Sequence, residues 1–237
     1  MLDAASVSIV LDAYRPERAA FVSLLQGLTP EELARPTECP AYDVQGIATH
    51  VLGDDLSLLS RQRDGALPGL FAVAADMPGA DFRTLLDTFN DRWVSAARFL
   101  SPALLVTLLE LTGEWTAAYY ESVDPMQPGE PVGFFGPNDG TSPFWHAIAR
   151  EYVERWVHHS QVLRALGRPS LYDPQFLEPG LAVIETAFGI DRDAVDLGPP
   201  EQAAAILTRA YTAAEIRERI TGPAELCDLV ALVAARP

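Results

Sequence analysis

Residues 150–159 read Arg150-Glu151-Tyr152-Val153-Glu154-Arg155-Trp156-Val157-His158-His159, in the middle of a segment running from Ser142 to Gly167. Its apolar positions Phe144, Ile148, Tyr152, Val153, Trp156, Leu163 and Leu166 recur at helical spacing, and Gly167 with Pro169 just beyond is a helix stop signal. The sequence has 4 histidines, and His146, His158 and His159 all fall on this one helix. Upstream, Pro125, Pro128, Gly129, Pro131, Gly133, Gly136, Pro137 and Gly140 exclude a helix or a central strand, so a lid or binding loop, or a disordered stretch, is expected between Asp124 and Gly140.

Further toward the N-terminus the same period returns. Phe82, Leu85, Phe89, Trp93, Leu100, Leu104, Leu108, Leu111, Trp115 and Tyr119 describe one long helical arm, broken at Ser101-Pro102. Asp43 stands at an N-cap position before Val44, Ile47, Val51 and Leu58, a second helix, and the loop Pro36-Thr37-Glu38-Cys39-Pro40 precedes it. The first segment carries Val7, Leu11, Tyr14, Phe21, Leu25 and Leu28, with a kink or restart expected at Pro16. Downstream, Pro174 to Phe188, Pro200 to Tyr211 and Pro223 to Ala235 read as helices, whereas Ala194 to Leu197 and the alternating Ile216 to Ile220 read as short strands.

With 237 residues, 49% of them hydrophobic, the chain can bury one main core and a small second unit. Its 33 acidic against 17 basic residues give a formal charge of −16, which disfavours nucleic acid and anionic membrane surfaces as partners. No apolar run reaches the length of a membrane span, and the start MLDAASVSIVLDAY lacks a basic leader, so a cytoplasmic protein is expected. Cys39 and Cys227 belong to no CxxC pair and read as buried thiols of a reducing compartment.

Glu154 and His158 are four residues apart and so are offset by about 40° around a helix, close enough to face one point. Imidazole nitrogen and carboxylate oxygen together suit a borderline divalent metal, and Arg150 lies one turn earlier on the same stripe. His50, on the flank of the second helix, is the natural third ligand, with Asp54 four residues on to accept its other ring N–H. Two histidines and one glutamate leave positions open for water or substrate. The simpler account is a surface Glu–His pair and a satisfied histidine on the second helix; on spacing alone it ranks first, because Glu-x-x-x-His is common by chance.

The block from Pro36 to Val44, His50, the block from Arg150 to His159 and Ala165-Leu166-Gly167 resemble the mycothiol-dependent maleylpyruvate isomerase family of the DinB-like superfamily. The resemblance implies a mainly α fold: a DinB-like metal-binding four-helix bundle over residues 1–167, followed over 168–237 by a small, shortened C-terminal α/β appendage. It also implies a zinc site held by His50, Glu154 and His158, with mycothiol as thiol co-substrate. This chain departs from its relatives at Tyr42, where they usually carry tryptophan, and at Gln161, where many carry aspartate.

By that resemblance the chain is a metal-dependent thiol enzyme, a transferase or isomerase acting on a small-molecule electrophile. Arg150 or the loop near Phe134 and Phe135 would shape the pocket. Two other readings stay open: a metal-dependent hydrolase on the same bundle, and a non-catalytic small-molecule binding module. The oligomeric state, a homodimer included, is left open by the sequence.

Overall fold

The computed structural model describes residues 4–130, 132 and 142–236. It is mainly α: among the described residues the β structure amounts to two two-residue strands and two isolated bridges. No helix among them is long and apolar enough to cross a membrane. The chain divides into two compact units, Arg18–Glu121 and the remainder, Met1–Glu17 with Ser122–Pro237. Helix α1 (Ala4–Gln26) contributes to both, passing through Pro16 without interruption. A restart at Pro16 does not occur, and Val10, Ala13, Tyr14, Phe21, Val22 and Leu25, on both sides of the proline, are all buried. Burying six such side chains outweighs a proline penalty of about 3 kcal/mol.

In the unit Arg18–Glu121, the expected loop after α1 contains one helical turn, α2 (Pro30–Leu33). A reciprocal Thr29–Glu32 capping box stabilises it, a signal outside the hydrophobic pattern. Helix α3 (Val44–Leu58) begins where the sequence placed it: the Asp43 carboxylate accepts the Gly46 N–H at 2.7 Å. Val44, Ile47, Ala48, Val51, Leu52 and Leu58 are buried around it. A π-helical turn, Leu59–Arg63, closes α3, and a short helix α4 (Gly69–Asp76) follows. Neither was legible in the periodicity. The long arm is two helices, α5 (Phe82–Ala97) and α6 (Pro102–Ser122), separated at Ser101-Pro102 as expected. Asp55 is wholly buried and binds Arg18 through both oxygens at 2.7 and 3.1 Å, while the Thr112 hydroxyl donates to it at 2.7 Å.

In the other unit, strands β1 (Pro128–Gly129) and β2 (Ser142–Pro143) pair antiparallel, and β2 leads into α7 (Trp145–Ala165). The helix stops at Gly167, whose φ of 73° is the left-handed conformation glycine adopts freely, with the Arg168 N–H reaching back to the Leu163 carbonyl at 2.9 Å. Four helices follow: α8 (Pro174–Phe188), α9 (Pro200–Leu207), α10 (Ala213–Arg217) and α11 (Ala224–Ala234).

Both strands expected in this C-terminal segment are corrected. Ala194–Leu197 is reduced to one antiparallel bridge, Asp196 to Thr221. The alternating stretch from Ile216 is the end of α10, because the Thr212–Glu215 capping box starts a helix ahead of it. An alternation of five residues is too short to decide against a cap.

Candidate metal and thiol site

Helix α7 shows two sides. Tyr152 and Trp156 are fully buried, with the Tyr152 hydroxyl donating to the Phe176 carbonyl and the Trp156 indole N–H to the Leu171 carbonyl, both at 2.8 Å. About half a turn away lie Arg150, Glu154, His158 and Gln161. Glu154 Oε2 stands 3.8 Å from His158 Nε2, and the side chains are 30% and 13% exposed, so the pair is sheltered yet reachable. On the other ring nitrogen, His158 Nδ1 is 2.9 Å from Gln161 Oε1. Arg150, one turn before Glu154, is half-buried and bonded to the buried Glu151 carboxylate.

The neighbouring histidines face elsewhere. His159 is buried with Glu17, Nδ1 to Oε1 2.9 Å. His146 packs edge-on to Trp145, and burial lowers its pKa.

His50 belongs to the other unit, on α3. Asp54 Oδ2 lies 3.5 Å from its Nε2, so the expected carboxylate is present at that nitrogen. The Tyr42 ring stacks on the imidazole, centroids 5.8 Å apart and planes 24° off parallel, and the Tyr42 hydroxyl donates to Asp91 at 2.9 Å. Burial, then Asp91, pushes that hydroxyl well above the ordinary tyrosine range. Thr37 braces the loop: its hydroxyl accepts the Cys39 N–H at 3.1 Å and donates to the Tyr42 carbonyl at 2.6 Å. A cavity of about 260 Å³ opens beside the loop, lined by Tyr42, Asp43, Gln45, Thr49, Val94 and Arg98.

Cys39 is a free, half-buried thiol. Burial pushes its pKa up from the ordinary thiol value, and Asp87 and Asp91 push the same way against the Ala41 and Tyr42 N–H groups. It is therefore protonated near neutral pH and a poor nucleophile.

The residues singled out by the sequence thus occur as two i,i+4 histidine–carboxylate steps, Glu154–His158 on α7 and His50–Asp54 on α3. Among the described residues no group of three or more His, Cys, Asp or Glu side chains is gathered as a metal centre. Glu154 and His158 suit an ion: two donors at about 2.0–2.2 Å from one tetrahedral zinc stand roughly 3.3–3.6 Å apart, within about half an ångström of the 3.8 Å between the pair. Phe134 and Phe135 lie outside the described residues. Two contacts went unread in the sequence, the Tyr42 stack on His50 and the Gln161 bond to His158; the i,i+3 spacing of His158 and Gln161 was the available signal for the second.

No curated protein and no solved structure is similar enough to match the chain. A family model described as the mycothiol maleylpyruvate isomerase N-terminal domain does match, over residues 14–162, taking in Cys39, Tyr42, His50, Glu154, His158 and Gln161. That match covers more than half of the chain, and the protein belongs to this mycothiol-related family of mainly α, DinB-like fold.

Proposed function

We propose that this protein is a metal-dependent thiol enzyme, a transferase or isomerase that uses mycothiol on a small electrophile. The observation that carries the proposal is the Glu154–His158 pair, a carboxylate oxygen and an imidazole nitrogen 3.8 Å apart on one rigid helix. Family membership supports mycothiol as the thiol. In this reading His50, Glu154 and His158 hold a divalent ion, zinc by the chemistry of the donor set, and residues 1–167 form the catalytic bundle with 168–237 appended. When bound, the ion supplies a lowered thiol pKa, so that the thiol is a thiolate near neutral pH.

The chain's own side chains do the rest. Tyr42 and Asp54 hold the His50 ring from its face and from one nitrogen. Arg150, anchored by Glu151, presents a guanidinium one turn from Glu154, where it binds an anionic group of the electrophile and sets its orientation. An isomerase needs addition of the thiolate to a cis double bond, rotation and expulsion; a transferase needs attack alone.

The test is elemental analysis of protein purified without added metal or chelator, joined to an activity screen with mycothiol and electrophiles. One equivalent of metal and a thiol-dependent, chelator-sensitive turnover are expected. Turnover that ignores both thiol and chelator would refute the proposal.

A further inference from the structure

We propose that the groove beside the π turn of the unit Arg18–Glu121 is a binding site for a small aromatic anion, a flat ring system carrying a carboxylate or sulfonate. The cavity measures about 420 Å³, within the range of small-molecule sites. Phe89 and Trp93 come to it from α5, Trp115 from α6, and Leu56 and Leu59 from the junction of α3 with the π turn. None of the proposed metal ligands lines it.

The rings are set in place by the fold. Phe89 and Trp93 meet edge to face, centroids 6.4 Å apart and planes at 83°. Both lie against glycine: a Cβ at Gly69 would stand 2.8 Å from the Phe89 ring, and one at Gly53 would stand 2.9 Å from the Trp93 ring. Any side chain at either position would push a ring aside. Trp115 is 47% exposed, so much of its indole is open to a ligand. Aromatic rings in edge and offset arrangements attract one another beyond the area they bury, and three rings around one cavity therefore favour a flat aromatic guest over an alkyl chain.

Charge selects the sign of the guest. The chain carries −16 overall, yet the charged residues lining the groove are two arginines, Arg61 and Arg63, and one acid, Asp64. Both arginines belong to the π turn, which is closed by the Asp64 N–H on the Leu59 carbonyl at 3.0 Å and braced by the Tyr119 hydroxyl on the Gln62 carbonyl at 2.8 Å. Such turns occur mostly at functional sites. Arg63 is held by Asp64 at 2.7 Å, but both side chains are exposed and the pair contributes little, so a ligand carboxylate can share the guanidinium.

Calorimetric titration of the full chain with naphthoate tests the site. One saturable equivalent is expected, bound more tightly than the neutral naphthamide or the aliphatic octanoate. Trp115→Ala should weaken naphthoate binding about 2–10-fold, the range for one ring pair. Arg61→Ala combined with Arg63→Ala should erase the preference for naphthoate over naphthamide. Ser60 is an exposed residue of the lining, so Ser60→Trp should fill the groove and abolish binding with the melting temperature little changed. His158→Ala should bind naphthoate as wild type does whether or not the chain holds a metal, so this site and the metal proposal can fail separately.

Absence of saturable binding, octanoate bound as tightly as naphthoate, or binding that survives Ser60→Trp overturns the inference. Binding lost in His158→Ala also overturns it, by moving the ligand to the metal site. A dimer in sedimentation that Ser60→Trp dissociates would give the groove to a second copy of the chain and overturn it too.

Discussion

His158 and His159 are adjacent, yet replacing each with alanine should break different things. His159 and Glu17 are buried together, with side chains 3% and 2% exposed and Nδ1 to Oε1 at 2.9 Å. The second oxygen, Glu17 Oε2, is also buried and has no hydrogen-bond partner among the described residues. His159→Ala therefore leaves the carboxyl without its one described partner and opens a hole beside it. Removing one member of a buried pair costs about 3–5 kcal/mol. For a chain of this size each kcal/mol lowers the melting temperature by roughly 2–4 °C, so a fall of about 6–20 °C is expected. His158 faces a carboxylate that is 30% exposed, and such a partly solvated pair contributes about 0–1 kcal/mol. His158→Ala should melt within a few degrees of wild type while losing bound metal, and His159→Ala should retain its metal at temperatures where it is folded. Thermal melts and metal analysis on the same preparations read both effects. Equal metal loss in the two variants, or a wild-type melt for His159→Ala, would refute this division of labour.

Two further outcomes follow from buried groups in the unit Arg18–Glu121. Asp55→Ala strands the buried Arg18 guanidinium, whose remaining described bond is to the Leu109 carbonyl at 2.9 Å, and should cost about 3–5 kcal/mol in chemical denaturation. The double replacement Arg18→Met, Asp55→Leu should recover most of that loss, and a double variant less stable than Asp55→Ala would contradict the desolvation argument. Because burial pushes the Cys39 pKa up from the ordinary thiol value, alkylation of that thiol should be slow at neutral pH and accelerate only in the alkaline range; a rate already at its plateau near pH 7, read by mass spectrometry, would overturn this.

The elements that carry the site were legible because each is announced by a local rule. Asp43 caps α3, Pro102 opens α6, and Gly167 ends α7 in the left-handed conformation that a side chain would resist. What escaped was set by features the apolar period does not record. The π turn at Leu59–Arg63 shifts the hydrogen-bond register without changing the pattern of apolar residues, so the periodicity does not announce it. The strand expected at Ile216 failed because Thr212 and Glu215 form a cap three residues apart, a polar signal that a hydrophobic alternation conceals. At the site, spacing put Glu154 and His158 on one stripe of the helix, where their polar atoms stand 3.8 Å apart, but spacing alone does not separate a surface pair from a pair of ligands. Gln161 appeared in the sequence only as a departure from relatives, since its contact with His158 Nδ1 is a matter of side-chain placement on α7.

The contacts on the back of α7 give the C-terminal segment a definite task. Tyr152 and Trp156 lie roughly 160–200° around the helix from Glu154, and each ties α7 to that segment, at the Phe176 and Leu171 carbonyls. Gly180 permits the closeness: a Cβ there would come within 2.4 Å of the Trp156 ring. Near the end of the helix, Arg164 reaches the Ser170 hydroxyl and the Thr208 carbonyl at 2.6 and 2.9 Å. Two anchors on that side, and a third from Arg164 near the helix end, oppose rotation of α7 about its own axis, and that rotation is the coordinate on which the direction of Glu154, His158 and Gln161 depends. A turn of about 20° would carry a group about 6 Å from the helix axis by roughly 2 Å, as much as a whole metal–ligand bond. The C-terminal segment can therefore determine where these side chains point, because it grips α7 at Tyr152 and Trp156, on the side away from them, and again near its end at Arg164.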